Sequence, residues 1–294
     1  MVMIEHCEAF DDNHIAVYDA VPIRKNTVEI GEDIKEGELL LLRGTRLEAK
    51  HLAALAAMGI SKVQVFSPLQ VTILSTGDEL VSPNQEKELG QIYDINTYGL
   101  SALAEKHGMV VKERRIVSDD FDLLLETVLH AKKSSDIILV SGGSSKGKQD
   151  ITADVLDKAS EPGVFTHGLA VNPGKPSILG YDEESHTILV GLPGHPVAAM
   201  LVFELLIVWL YRQIFGLKEA LTIPAMLETN VPGAPGRTTC QMVKLKQMEK
   251  GYVATPIFGK SGLISTLTGG DGYILIDMNT EGVSAGEMVD VYLI

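Results

Sequence analysis

The chain has 294 residues, of which 45% are hydrophobic and 22% charged, with a formal net charge of −14. A chain this acidic repels the nucleic-acid backbone and anionic membranes, so neither is an expected partner. Aromatics at 5% leave little surface for stacking bases. The two cysteines, Cys7 and Cys240, make neither a disulfide framework nor a C-x-x-C pair.

The opening MVMIEHCEAFDDNH is unlike a signal peptide, and a reducing cytoplasm is the simplest compartment. Length argues for about two domains, but three zones separate by pattern. Residues 1–68 form a small mixed part. There IGEDIKEGELLLLRGTRL, with Gly31, Gly37 and Gly44 between apolar stretches, predicts short strands. AKHLAALAAMGI predicts a helix stopped by Gly59, and KVQVF alternates as a strand does.

Residues 69–217 alternate strand and helix. Val71–Ser75, Met109–Val117 and Asp136–Ser141 predict strands. Asp94–His107 and Phe121–Ala131 predict helices, the second started by Asp119-Asp120. Short strands follow near 164–167, 177–180 and 187–191, then an apolar helix over about 197–215. Its most apolar run, Val197–Tyr211, is too short for a membrane span and carries Glu204, so it reads as a buried helix. Buried strands alternating with helices predict an α/β, doubly wound, mostly parallel sheet. Residues 218–294 show Pro- and Gly-punctuated runs such as TTCQMVKLKQ and MVDVYLI, which predict an all-β barrel.

In such a sheet, ligands bind beyond the carboxyl ends of the strands. Loops expected there are TGDEL, SGGSSKGKQD, NPGKP and LPGHP. Glycines let a backbone approach a ligand closely, and successive N–H groups can form an anion nest. The polar residues gathered are Asp78, Glu79, Ser144, Ser145, Lys146, Lys148, Asp150, Asn172, Lys175 and His195. Lysines and backbone donors suit phosphate or another oxyanion, and carboxylates suit a divalent cation. Each loop alone also has a plainer reading: tight turns, helix caps at Asp119, Asp120, Asp150 and His195, and a solvated Lys175. Convergence, rather than any single motif, carries the argument.

Gly142–Lys148 fits G-x-x-x-x-G-K, the start of a nucleotide P-loop. That motif needs a hydroxyl next, and the chain has Gln149. No strand ending in a metal-binding Asp supports it either, so a P-loop ATPase is rejected.

LSTGDELV, GQIYDINTYGL, VSDDFDLL, DIILVSGGSSKGKQD, NPGKPSILG and GLPGHPVAAM follow one another in the order seen in the molybdopterin molybdenumtransferases, the MoeA and gephyrin E-domain family. The resemblance covers roughly residues 19–294, with GKSGLISTLTGGDGYILI and AGEMVDVYLI similar to the family's C-terminal barrel. It implies a cytoplasmic enzyme of molybdenum cofactor biosynthesis, a transferase. Such an enzyme takes adenylylated molybdopterin, inserts molybdate or tungstate and releases AMP with Mg²⁺ or a similar ion.

On that template Asp78, Glu79 and Asp150 are the catalytic carboxylates, with Asp78 and Asp150 at the metal. Asp119 or Asp120 stands near the nucleotide. The cofactor-binding set is the loop Gly142, Gly143, Ser144, Ser145, Lys146, Gly147 and Lys148, then Asn172, Gly174 and Lys175, then Pro193, Gly194 and His195. Arg237 and Ser261 are added from the barrel.

The chain departs from the family pattern at several places. On the family pattern the usual N-terminal lead and extra domain are expected to be missing. Asn172 stands where Lys is frequent, His195 and Ala198 where Asn and Ser are usual, and Ser144 and Lys146 where valine is frequent. Lys146 and Lys148 are expected to restore positive charge lost at 172. A homodimer is implied, with a separate subunit as a source of the missing domain. The alternative function is a non-catalytic carrier, sensor or scaffold for the cofactor.

Overall fold

The computed structural model describes residues 1–142 and 151–294. The chain divides into two compact units, Met1–Val63 and Gln64–Ile294. In the first, β1 (Cys7–Ala9) and β2 (Ile15–Val17) form an antiparallel hairpin, and α1 (Ala49–Ala57) is the one regular helix. Glu48 and His51 cap α1 reciprocally, each side chain serving the other's backbone N–H. Residues 30–48 and KVQVF form no strands, against the sequence expectation. A strand needs a partner to satisfy its backbone, and these segments find none. Leu55 is the sole buried hydrophobic residue of this unit.

The second unit holds β3 (Gln70–Thr76), β4 (Leu80–Val81), β5 (Ile92–Tyr93), α2 (Asn96–Lys106), β6 (Val110–Val117), α3 (Phe121–Ala131) and β7 (Ile137–Gly142). It continues with α4 (Ile151–Lys158), β8 (Pro162–His167), β9 (Val171–Asn172), β10 (Ile178–Asp182) and β11 (Thr187–Leu192). Six strands form one sheet in the order β6-β3-β7-β11-β10-β8. β6, β3, β7 and β11 are parallel, and β10 runs antiparallel to both its neighbours.

The reason lies in β7. Ile137, Ile138, Leu139 and Val140 are all fully buried. Ile137 and Leu139 face the cluster built on α2 and the helix over Pro196–Phe215, and Ile138 and Val140 face the cluster built on α3 and α4. Alternate side chains point to opposite faces, so a continuously apolar strand must be covered on both sides. Beneath α3, Lys132 meets Asp182 at 2.8 Å, with side chains 14% and 3% exposed.

The apolar run read as Val197–Tyr211 is part of a longer helix, Pro196–Phe215. At 20 residues it is long and apolar enough to span a membrane by length and composition alone. The length argument against a span therefore falls. Packing places its inner face in the protein instead: Val197, Leu201, Val202, Phe203 and Ile207 are buried against sheet and barrel. The helix comprises α5 (Pro196–Val202), a π-helical segment (Phe203–Val208) and α6 (Trp209–Phe215).

The barrel contains β12 (Thr222–Leu227), β13 (Val231–Pro232), β14 (Thr238–Met248), β15 (Gly251–Pro256), α7 (Ile264–Thr268), β16 (Gly272–Ile276), β17 (Gly282–Val283) and β18 (Met288–Leu293). The order β15-β12-β18-β16-β14 closes through the β14–β15 pairing. Closure removes free edges. β9 adds to β14 in parallel, Val171 beside Thr238, so the chain just before NPGKP is part of the barrel sheet.

Candidate functional site

The carboxyl ends of the parallel strands form one row. Thr76 pairs with Val117 on one side and Gly142 on the other, and Ser141 pairs with Leu192. Gly77-Asp78-Glu79, Ser118-Asp119-Asp120 and Pro193-Gly194-His195 leave from this row, as does the segment from Gly143.

At one end of the row two acidic loops come together. The Asp119 backbone N–H donates to Asp78 Oδ1 at 3.1 Å. Thr76 Oγ1 donates to Asp119 Oδ1. Oδ2 of each carboxylate has no partner among the described residues. The Glu79 carboxylate folds over Gly77. Asp120 serves the helix instead, accepting from Leu123 N at 2.8 Å and capping α3.

In the middle of the row the backbones crowd. Gly142 has φ +116°, and a Cβ there would lie 2.2 Å from the Thr76 carbonyl oxygen. Only glycine fits. Gly194 approaches next, since its Cβ would stand 3.7 Å from Gly142 Cα. Asn96 and Ser141 tie these loops. Asn96 Nδ2 donates to Ser141 Oγ at 2.6 Å and to the Gly194 carbonyl at 2.9 Å, and Ser141 Oγ donates to the Pro193 carbonyl at 3.1 Å. Asp94 holds the neighbouring turn, accepting from Ser75 Oγ at 2.9 Å and from Thr97 N at 3.2 Å.

At the other end His195 Nδ1 and Ser261 Oγ are 2.9 Å apart, and the Ser261 carbonyl accepts from Val197 N at 3.1 Å. Below them lies a cavity of about 200 Å³ between the start of α5 and the barrel, with Asn172, Thr239, Cys240 and Ser261 in its wall. Gly174, at φ +128°, lets the NPGKP turn pass α5, because a Cβ would lie 2.6 Å from Val202. Lys175 and Arg237 are exposed.

The structure thus gathers Asp78, Glu79, Asp119, Gly142, Pro193 and Gly194 along one edge, and Ser261 and Asn172 in the cavity wall, with His195 bonded to Ser261. Gly143, Ser144, Ser145, Lys146, Gly147, Lys148 and Asp150 lie outside the described residues. Among the described residues no group of three His, Cys, Asp or Glu side chains is placed to hold a metal ion. Asp94, Asn96, Ser141 and Thr76 were missed by sequence reasoning. Asp94 and Asn96 sit at a helix start, where Asp and Asn have an ordinary explanation as caps, and their real partners are about 20 to 100 positions away.

A doubly wound domain with a Gly-lined, acidic carboxyl edge, joined to a closed barrel, defines the class. Family models match along the chain: "MoeA N-terminal region (domain I and II)" over residues 1–59, "Probable molybdopterin binding domain" over 72–213 and "MoeA C-terminal region (domain IV)" over 224–294. The match begins at residue 1, ahead of the position near 19 expected from motifs. A Methanocaldococcus jannaschii protein named for molybdopterin biosynthesis is 35% identical over all of this chain and 72% of its own length. The molybdopterin molybdenumtransferase of Haemophilus influenzae is 31% identical over 99% of this chain and 72% of its own. A solved structure of the molybdopterin biosynthesis protein MoeA from Pyrococcus horikoshii superimposes with a TM-score of 0.82 at 33% identity, covering 98% of this chain and 70% of that one. The chain belongs to the MoeA family, the molybdopterin molybdenumtransferases of molybdenum cofactor biosynthesis.

Proposed function

We propose that this chain binds adenylylated molybdopterin, inserts molybdate or tungstate at its dithiolene and releases AMP, acting in the cytoplasm as a homodimer. The observation that carries the reading is the meeting of Asp78 and Asp119 beside the Gly142 turn, at the edge where such sheets bind ligands. Phosphoanhydride cleavage needs charge neutralised around the phosphate. Mg²⁺ is commonly held by one or two carboxylates together with substrate phosphate oxygens. Two carboxylates with free Oδ2 atoms fit that need, with Glu79 beside them; Asp150, outside the described residues, is the further ligand the family resemblance implies. Bound there, Mg²⁺ would neutralise phosphate charge. Thr76 orients Asp119, and the loop glycines admit the ligand to backbone N–H groups.

At the other end of the edge Ser261 and Asn172 wall the cavity where a tetraoxo dianion would enter, with His195 bonded to Ser261 and with Lys175 and Arg237 as nearby cations in sequence. Tungstate matches molybdate in charge and size, so selection between them is not expected from donors of this kind. Ile23, Val28, Ile30 and Leu42 of the first unit are 69–108% exposed, and apolar surface of this kind supports the homodimer. A separate subunit that completes the pocket belongs to the same proposal.

The test is AMP release from adenylylated molybdopterin with Mg²⁺, with and without molybdate. Release that depends on molybdate supports the transferase. Asn172 and His195, which replace a cation and an amide of the family pattern, favour a second reading, a carrier of the cofactor. Binding without release would decide for it.

A further inference from the structure

Asn96 is 9% exposed, and its amide bridges two of the loops at the ligand edge. The Gly194 carbonyl can only accept, and the Ser141 hydroxyl hydrogen is directed to the Pro193 carbonyl, so both contacts require Nδ2 as donor. The orientation of the amide is therefore fixed by its partners. A planar amide puts Oδ1 on the side away from those contacts. Oδ1 is buried and has no hydrogen-bond partner among the described residues. A buried acceptor left unsatisfied is costly and rare in folded proteins. It stands at the first turn of α2, between the ends of β7 and β11.

We infer that Asn96 is a ligand-orienting residue, whose Oδ1 accepts a hydrogen bond from an N–H or O–H of the bound substrate. The inference rests on the reading of this edge as the molybdopterin site. An N–H on the pterin edge and a hydroxyl of the adenylyl group share the needed donor chemistry. Asn96 thereby does two things at once: Nδ2 fixes the LPGHP loop, and Oδ1 reads the ligand. A ligand without a donor at that position leaves Oδ1 dry and unpaired, which gives discrimination larger than the bond itself.

The test measures binding of molybdopterin and, separately, of AMP to the wild type and to Asn96→Leu, Asn96→Asp and Ser141→Ala, with thermal unfolding of each. Asn96→Leu is expected to weaken one of the two probes about tenfold, the worth of one hydrogen bond, and the affected probe names the donor. Asn96→Asp keeps an acceptor oxygen and is expected to bind that probe more tightly than Asn96→Leu. Ser141→Ala weakens the latch alone and is expected to change affinity by less than about threefold. A purely structural Asn96 reverses the order, because a carboxylate facing the Gly194 carbonyl disturbs the loop more than leucine does. That reversal, or unchanged affinity in Asn96→Leu, overturns the inference. A wild type that binds neither probe overturns the functional reading itself and removes the inference with it.

Discussion

Asp119 donates its backbone N–H to Asp78 Oδ1 at 3.1 Å, joining two loops that leave adjacent parallel strands 41 residues apart in the chain. The side chain of Asp119 is held in turn by Thr76. Such outer partners keep a working carboxylate in one orientation. Thr76→Val is expected to lower molybdate-dependent AMP release by about tenfold to a hundredfold, with a stability loss of about 1 kcal/mol. An unchanged rate in a folded variant would show that Asp119 does not depend on this bond.

Gly142 is a packing requirement as well as a turn. Its φ is +116°, and a Cβ at this position would lie 2.2 Å from the Thr76 carbonyl oxygen, which leaves no room for alanine. Gly142→Ala is expected to cost at least about 1–3 kcal/mol of stability from backbone strain. Urea unfolding reads this directly, and a loss below about 0.5 kcal/mol, the range of an ordinary surface change, contradicts it.

Lys132 and Asp182 make a buried pair away from the ligand edge. Burial acts to raise the Asp182 pKa, but Lys132, Ser185 and the Glu161 backbone N–H together hold it well below the usual carboxylate range. Lys132→Met strands that charge and is expected to cost about 3–5 kcal/mol. A double variant with Asp182→Leu should recover much of the loss.

The same pair sets a pH dependence. The folded pKa of Asp182 is depressed, so its contribution is complete above the unfolded value of about 3.9. It is lost as pH falls below that value towards the folded one. Stability measured from about pH 6 down to about pH 2 should fall less steeply in the double variant than in the wild type.

The cysteines should differ in reactivity. Cys240 is buried beneath the cavity, and desolvation pushes its thiol up to about 12. Cys7 is only half-buried. A thiol reagent near pH 8 is expected to modify Cys7 in the folded protein and Cys240 only after denaturant is added. Modification of both at equal rates would show that the barrel opens readily.

The central strands and helices were legible because burial on both faces of a parallel sheet writes itself as continuous apolar runs such as Ile137–Val140. The closed barrel was legible from its Pro and Gly punctuation. The first unit was read poorly. IGEDIKEGELLLLRGTRL has the pattern of strands, but a strand exists only where another supplies its hydrogen bonds, and local pattern is silent on that. The long helix read over about 197–215 agrees with Pro196–Phe215; what apolar composition alone could not decide is whether it lies in a membrane or in the core, which packing settles.

The sequence by itself determined which loops carry glycine and acid, and in what order, because those choices are local: a turn needs φ > 0, and a helix start favours Asp or Asn. Only the tertiary structure decided which of the acids meet. Asp120 looks the equal of Asp119, yet one caps α3 and the other joins Asp78. Asn96 looks like a helix-start residue, yet its amide ties Ser141 to Gly194, 45 and 98 positions along the chain. Hydrogen bonds of that reach are set by strand order and by helix packing on the sheet, which depend on all the apolar residues together.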